Sequence, residues 1–204
     1  MGNNKAIPVT NTKFEYFLNA VHYCIWLHEV WLGNFVHKIV YGSVRNFGKY
    51  LCSRNWKERL DAYLAKREQQ MYNFNMDKKT GIYISLAKYE FGYIYSCYPG
   101  FFSFVMLGLM HSHYGELSFV IAILTILIPI EIGYIPAYKA VFLNDRYLKY
   151  FKEFEKEGKE WHRRWARITW VFCIGAVIVS LCGIAVMLEI MIGLKNIDFP
   201  FLHR

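Results

Sequence analysis

The sequence predicts an all-α fold, a polytopic helical membrane bundle of three or four transmembrane helices with helical cytoplasmic extensions. Hydrophobic residues make up 55% of the 204 residues, more than the roughly 45–50% typical of a soluble domain. The excess lies in long blocks, three of which reach the about 20 apolar residues that a helix needs to cross a bilayer. This composition argues against a disordered chain, which lacks aromatic and β-branched residues, and against an ordinary soluble enzyme.

Residues 14–44 form the first predicted helix, and its polar side chains follow one face. We call this face the polar stripe; it consists of Glu15, Asn19, His22, Glu29, Gly33 and His37. The opposite face is apolar, so the helix is amphipathic. Two arrangements stay open. The helix lies in the membrane interface with its apolar face down, or it spans the membrane and turns the polar stripe towards the other helices or a water-filled space.

A cytoplasmic helix over residues 55–76 precedes a transmembrane hairpin formed by residues 84–113 and 115–139. Residues 91–110 carry no charge, and residues 117–138 carry one charged side chain, Glu131. Pro99 is expected to kink the first helix of the hairpin, and Pro129 and Pro136 the second, because proline removes a helical hydrogen bond.

Residues 140–166 form a predicted cytoplasmic helical extension with apolar residues at alternating spacings of three and four, as in a heptad. We call these residues the aromatic seam: Leu143, Tyr147, Tyr150, Phe154, Trp161 and Trp165. Gly158 marks either a turn between two antiparallel extensions or a bend in one long helix. The seam needs a cover, which could be residues 55–75, a second subunit, another protein or lipid headgroups.

The last transmembrane helix is predicted over residues 167–194, because residues 168–188 carry no charge. Ala176, Ser180 and Gly183 give it a face of small residues that allows close helix contact, within one subunit or between two. The chain, residues 1–204, is thus interpreted as a single membrane domain.

The basic residues predict the orientation, because lysine and arginine concentrate in cytoplasmic loops. Residues 45–88 hold ten of the 24 lysines and arginines, residues 139–167 hold nine, and the intervening loop at residues 111–116 holds none. Both basic segments are therefore expected on the cytoplasmic side, against anionic lipid headgroups and not nucleic acid. Three spans place the N-terminus inside, and four place it outside.

Glu131 is the first candidate functional residue, since an acid near the centre of a bilayer is costly. It predicts a proton or ion site, or a gate. Alternatively, it lies nearer the cytoplasmic end, hydrogen-bonded to a tyrosine or paired with a basic side chain. Glu29 and His22 are the other polar candidates inside the membrane.

Motifs for chemistry are missing from the sequence. There is no phosphate-binding loop, nucleophile elbow, dinucleotide fingerprint or EF-hand. His28 and Glu29 begin a zinc-protease motif, but residue 32 is a leucine instead of the second histidine. We therefore predict no enzyme, no catalytic residue, no cofactor and no metal ligand.

The leading functional expectation is a non-enzymatic multipass membrane protein. It would act by assembling, with itself or with a partner protein, through its membrane helices and the aromatic seam. The alternative is an oligomeric ion channel or pore-type effector lined by the polar stripe or by Glu131. A membrane-embedded lipid-modifying enzyme that uses histidine and glutamate at the interface is the third class.

Overall fold

A computed structural model describes residues 12–51 and 54–193, without the side chains of residues 44–58, 60 and 61. Within these ranges the chain forms six α-helices and a 3₁₀ turn, with no strand. The helices are α1 (Lys13–Leu51), α2 (Arg54–Asn75), α3 (Ile82–Tyr114), α4 (Phe119–Val141), α5 (Arg146–Phe154) and α6 (Lys159–Gly193); the turn is Leu143–Asp145. The two ends of the predicted domain, residues 1–11 and 194–204, lie outside the described ranges.

Three helical segments are long and apolar enough to cross a membrane: α3, the segment Phe119–Phe154 that contains α4 and α5, and α6. The predicted all-helical class and the three apolar segments are thereby confirmed. Helix α1 is not among these candidate spans.

Helix α3 packs against both other candidate spans, and small residues let the backbones approach. At Gly133 of α4, a Cβ would lie 2.5 Å from the Cβ of Pro99. At Gly183 of α6, it would lie 3.2 Å from the Cα of Phe101. Both helices of the hairpin continue through their prolines as α-helix.

The predicted helical extension after α4 is interrupted twice. Asn144 and Asp145 adopt left-handed backbone angles, with φ of 59° and 53°, and separate α4 from α5. Asparagine and aspartate tolerate this conformation better than other residues with a side chain, because their short polar groups hydrogen-bond locally. A second interruption follows α5, which ends at Phe154, before α6 begins at Lys159. Gly158 therefore lies in a turn, as one of the two alternatives predicted.

Helix α1 crosses the candidate spans instead of running alongside them. Phe17 contacts Phe172 of α6 at a ring separation of 5.9 Å, and His28 contacts Trp170 at 6.4 Å. Between these two residues, α1 also contacts α4 through Asn19 and α3 through His22. It therefore passes across three helices instead of following one of them.

The buried core lies where α1 crosses, at one end of the bundle. We call this the basic end; it comprises residues 82–90 of α3, 137–141 of α4 and 159–168 of α6. Nine consecutive residues of α1, 18–26, are buried there. Phe91, Val141, Tyr147 and Phe151 pack against them with no exposed surface.

Candidate functional site

Glu131 lies on the outward face of α4 and is exposed. It is twelve residues from Phe119 and ten from Val141, the two ends of the helix, which places it about 18 and 15 Å from them. Its neighbours on this face are exposed apolar side chains. We call this face the outward stripe of α4: Leu124, Leu127, Ile128, Glu131, Ile135 and Tyr138.

Glu131 lines a shallow groove between α3 and α4. The groove has a volume of about 270 Å³, and Lys88, Tyr93 and Ser96 of α3 also line it. No basic nitrogen lies within 4.0 Å of Glu131 in the part of the chain that the structure describes, and no hydrogen bond to it is formed there. Of the two sequence interpretations, an internal partner for Glu131 therefore gains no support.

The first four of the six residues in the polar stripe are enclosed in the core. Glu15, Asn19, His22 and Glu29 are each at most 6% exposed. The Nδ2 group of Asn19 donates hydrogen bonds to the carbonyl oxygens of Glu15, at 2.8 Å, and Ala140, at 3.1 Å. Glu15 lies 3.6 Å from Nη1 of Arg146. Asn19 and Glu15 thus connect α1 to α4 and α5, respectively.

His22 is surrounded by aromatic rings, and among the described residues neither of its ring nitrogens has a hydrogen-bond partner. Burial, with a smaller contribution from the positive charge of Lys88, lowers the pKa of His22 to about 3. The imidazole is therefore neutral at physiological pH. Four rings enclose it at centroid separations of 5.2–5.5 Å: Phe91, Phe142, Tyr147 and Phe151.

Glu29 meets two potential metal ligands, one on its own helix and one on α3. One donor atom each of His28, Glu29 and Glu90 lies within 4.8 Å of the other two. This arrangement brings the carboxyl groups of Glu29 and Glu90, which lie on different helices, close together. We call these three residues the carboxylate–histidine cluster. His28 and Glu90 also line a largely apolar cleft of about 530 Å³ between α1, α3 and α6.

Helix α1 covers most of the aromatic seam. Tyr147, Tyr150 and Phe154 are at most 1% exposed, whereas Leu143 remains 37% exposed. The ring of Tyr16 contacts those of Phe154, at 5.3 Å, and Trp165, at 5.7 Å. The cover is therefore α1, which is not one of the four covers considered from the sequence.

The face of small residues on α6 packs inside the subunit. Ala176 and Gly183 are buried, and Gly183 lies against Phe101 and Phe104 of α3. Ser180 is half-buried. This arrangement follows the intrasubunit alternative for Ala176 and Gly183.

Sequence reasoning missed Glu90 as a neighbour of Glu29, because the two residues are 61 positions apart. The sequence signal that existed was the His28–Glu29 pair on α1 and a single acid at the start of an apolar segment on α3. Neither signal predicts that the two acids meet, because their contact depends on how α1 crosses α3.

Comparison of the chain with protein-family models, curated proteins and solved structures finds no significant match.

Proposed function

We propose that this protein is a non-enzymatic multipass membrane protein that assembles with a second copy of itself through the outward stripe of α4. The observation that carries the proposal is the exposed Glu131 near the middle of an apolar helix. The aromatic seam and the small residues Ala176 and Gly183 are already occupied by contacts inside the subunit, so α4 offers the surface for a partner.

A charged side chain facing lipid at mid-depth is unfavourable by about 2.5–3.5 kcal/mol on insertion scales. A protein neighbour removes part of this cost by supplying hydrogen bonds across the helices. In a twofold dimer, the same surface patch serves both subunits. The groove beside Glu131 offers Ser96 and Tyr93 as polar partners for the Glu131 of the second copy.

The same proposal places the basic segments, residues 45–88 and 139–167, on the cytoplasmic side at anionic headgroups. With three spans, the N-terminus lies on that side as well. The second half of α1 supports an interfacial position, because it presents a series of partly exposed apolar side chains. These are Trp31, Leu32, Phe35, Val36, Ile39 and Val40, each 39–62% exposed.

Cysteine cross-linking in the membrane tests the interface. In a variant without native cysteines, Ile128→Cys on the outward stripe is expected to give a disulfide-linked dimer. Val177→Cys is the matched control, because its side chain is similarly exposed on α6. A monomeric particle by light scattering, together with no cross-link at position 128, overturns self-assembly and leaves a different membrane protein as the partner.

Replacing the acid tests whether Glu131 carries the association. Glu131→Leu is expected to weaken the dimer by about threefold to thirtyfold, since interhelical polar contacts contribute about 0.6–2 kcal/mol. Glu189→Leu serves as the control. Glu189 is an exposed acid on α6, close to the end of that helix that lies away from the basic end. Equal dimer affinity in both variants contradicts the role of Glu131.

One observation favours the lipid-modifying enzyme as a second candidate. The carboxylate–histidine cluster lies beside a cleft with apolar walls, which suits an acyl chain. A panel of lipids incubated with the purified protein tests this candidate. A modified lipid whose formation is lost in His28→Ala and retained in His113→Ala supports it, and no modified lipid removes it.

The channel alternative receives less support. Of its two predicted linings, the polar stripe and Glu131, the polar stripe packs against aromatic side chains at His22 and is hydrogen-bonded at Asn19. Liposome ion flux that falls in both Glu131→Gln and Glu29→Gln is the result that would restore it.

A further inference from the structure

Three ligand-type side chains from two helices meet at the basic end of the bundle. The Nδ1 atom of His28 lies 4.0 Å from Oε1 of Glu29, and a carboxylate oxygen of Glu90 lies within 4.8 Å of ligand atoms of both residues. The side chain of Glu29 is 8% exposed, whereas that of His28 is 49% exposed. The cluster therefore combines one enclosed carboxylate with a histidine that an ion can reach from outside.

The charges of this cluster are not balanced by the protein. Neither Glu29 nor Glu90 pairs with a lysine or arginine among the residues that the structure describes. Two carboxylates in contact repel each other, and a buried charge is costly unless it is paired or coordinates a metal. The missing positive charge must come from a bound cation or from a proton that the two carboxyl groups share.

We propose that the cluster binds a divalent transition-metal ion of the zinc type through His28, Glu29 and Glu90. An imidazole nitrogen beside two carboxylate oxygens is a donor set suited to Zn²⁺, whereas Mg²⁺ takes oxygen ligands. This inference goes beyond self-assembly and depends on none of the residues of the outward stripe.

The geometry fits after a small adjustment. Ligand atoms about 2.1 Å from a tetrahedral zinc ion lie about 3.4 Å apart. The donors already lie within 4.8 Å of one another, so the widest of the three separations has to shorten by at most about 1.4 Å. Three protein ligands leave the fourth position open. His28 and Glu90 both line the apolar cleft, so the proposed site lies beside a space that can hold a water or an oxygen of a lipid headgroup.

The chain contains a matched control on the same helix. Nδ1 of His37 lies 3.8 Å from Oε1 of Glu68 on α2, which makes a second histidine–glutamate pair. In the described ranges no third ligand-type side chain joins this pair. His37→Ala and Glu68→Gln therefore remove the same chemical groups as His28→Ala and Glu90→Gln without touching the proposed site.

The experiment is a zinc titration of the full-length protein, stripped with a chelator and purified in detergent. Isothermal calorimetry at pH 7.4 is expected to show one Zn²⁺ per chain and no comparable heat from Mg²⁺. His28→Ala and Glu90→Gln are expected to weaken Zn²⁺ binding at least tenfold, and His37→Ala and Glu68→Gln less than twofold. Thermal unfolding with and without Zn²⁺ checks that each variant folds, because an ion that binds the folded state raises Tm.

Two results overturn the proposal. The first is no Zn²⁺ binding and no rise in Tm at 100 µM added metal, which assigns a shared proton to the carboxyl pair. The second is binding that persists in both His28→Ala and Glu90→Gln, which moves the metal elsewhere in the chain. Both outcomes leave the cross-linking test of self-assembly unaffected.

Discussion

The indole N–H of Trp161 on α6 donates a hydrogen bond to the hydroxyl of Tyr16 on α1, at 3.1 Å. The bond joins the crossing helix to the start of a candidate span. Around it, the ring of Tyr16 makes edge contacts with Tyr150, Phe154 and Trp165. This contact fixes the beginning of α1 at the basic end, where it covers the aromatic seam.

Substitution of Tyr16 separates the hydrogen bond from the ring contacts. Tyr16→Phe is expected to destabilise the fold by about 1 kcal/mol, because it removes one partly buried hydrogen bond. Tyr16→Ala is expected to cost about 3 kcal/mol, since it also removes the aromatic packing. Denaturant unfolding in detergent measures both. Equal effects of the two variants contradict a packing role for the ring.

Acidification is expected to destabilise the protein through His22. Its pKa is about 3 in the folded protein and about 6.5 when unfolded. Between these values the unfolded chain binds a proton that the folded chain does not, so stability falls as pH falls below 6.5. The contribution lost between pH 7 and pH 5 is about 2 kcal/mol. Denaturant unfolding at both pH values measures it.

His22→Phe is the variant that tests this assignment. Phenylalanine keeps an aromatic ring among the four that enclose His22 and does not titrate, so the loss of stability between pH 7 and pH 5 is expected to shrink. His37→Phe is the control, because His37 is only partly buried. An unchanged pH dependence in His22→Phe shows that other groups cause the acid sensitivity.

The sequence predicts the amphipathic character of α1 but not how the helix is buried. The pattern suggests burial by face, with polar and apolar residues on opposite sides. In the structure, burial changes along the length: residues 18–26 are buried all round, and most of residues 31–40 are exposed. The physical reason is the crossing, because the end of a bundle about two helix diameters wide covers only about thirteen residues of a transverse helix.

The candidate functional residues are also only partly predictable from the sequence. A lone acid within an apolar helix identifies Glu131, because its cost depends on composition and depth alone. The outward direction of its side chain depends on which face of α4 packs against α3. The sequence does not identify this face, because two of the three candidate spans are apolar on nearly all sides. Glu29 and Glu90 come together only because α1 crosses α3, and no local sequence pattern predicts this contact.

Enlarging Gly183 is expected to separate α3 from α6. A Cβ at this position would lie 3.1 Å from a ring carbon of Phe104 and 3.2 Å from the Cα of Phe101, so a larger side chain must displace backbone. Gly183→Leu is therefore expected to destabilise the bundle by about 1–3 kcal/mol. Ala185→Leu, at an exposed position of the same helix, is expected to be close to neutral. Unfolding by denaturing detergent compares the two, and equal stability contradicts the packing of this face inside the subunit.

Labelling of single cysteines is expected to place the start of α1 and the following helix α2 on one side of the membrane. If α1 crosses the bundle at the basic end, Thr12→Cys and Lys66→Cys, both at exposed positions, lie on the same side. A membrane-impermeant thiol reagent is then expected to label them only after the cells are permeabilised, because the proposal places the basic segments on the cytoplasmic side. His113→Cys, at the hairpin tip without lysine or arginine, is expected to react in intact cells.

Labelling of Thr12→Cys, but not of Lys66→Cys, in intact cells makes α1 a fourth span. The polar stripe would then run through the bilayer instead of along its surface, and the interfacial position proposed for Trp31 and Phe35 would be wrong.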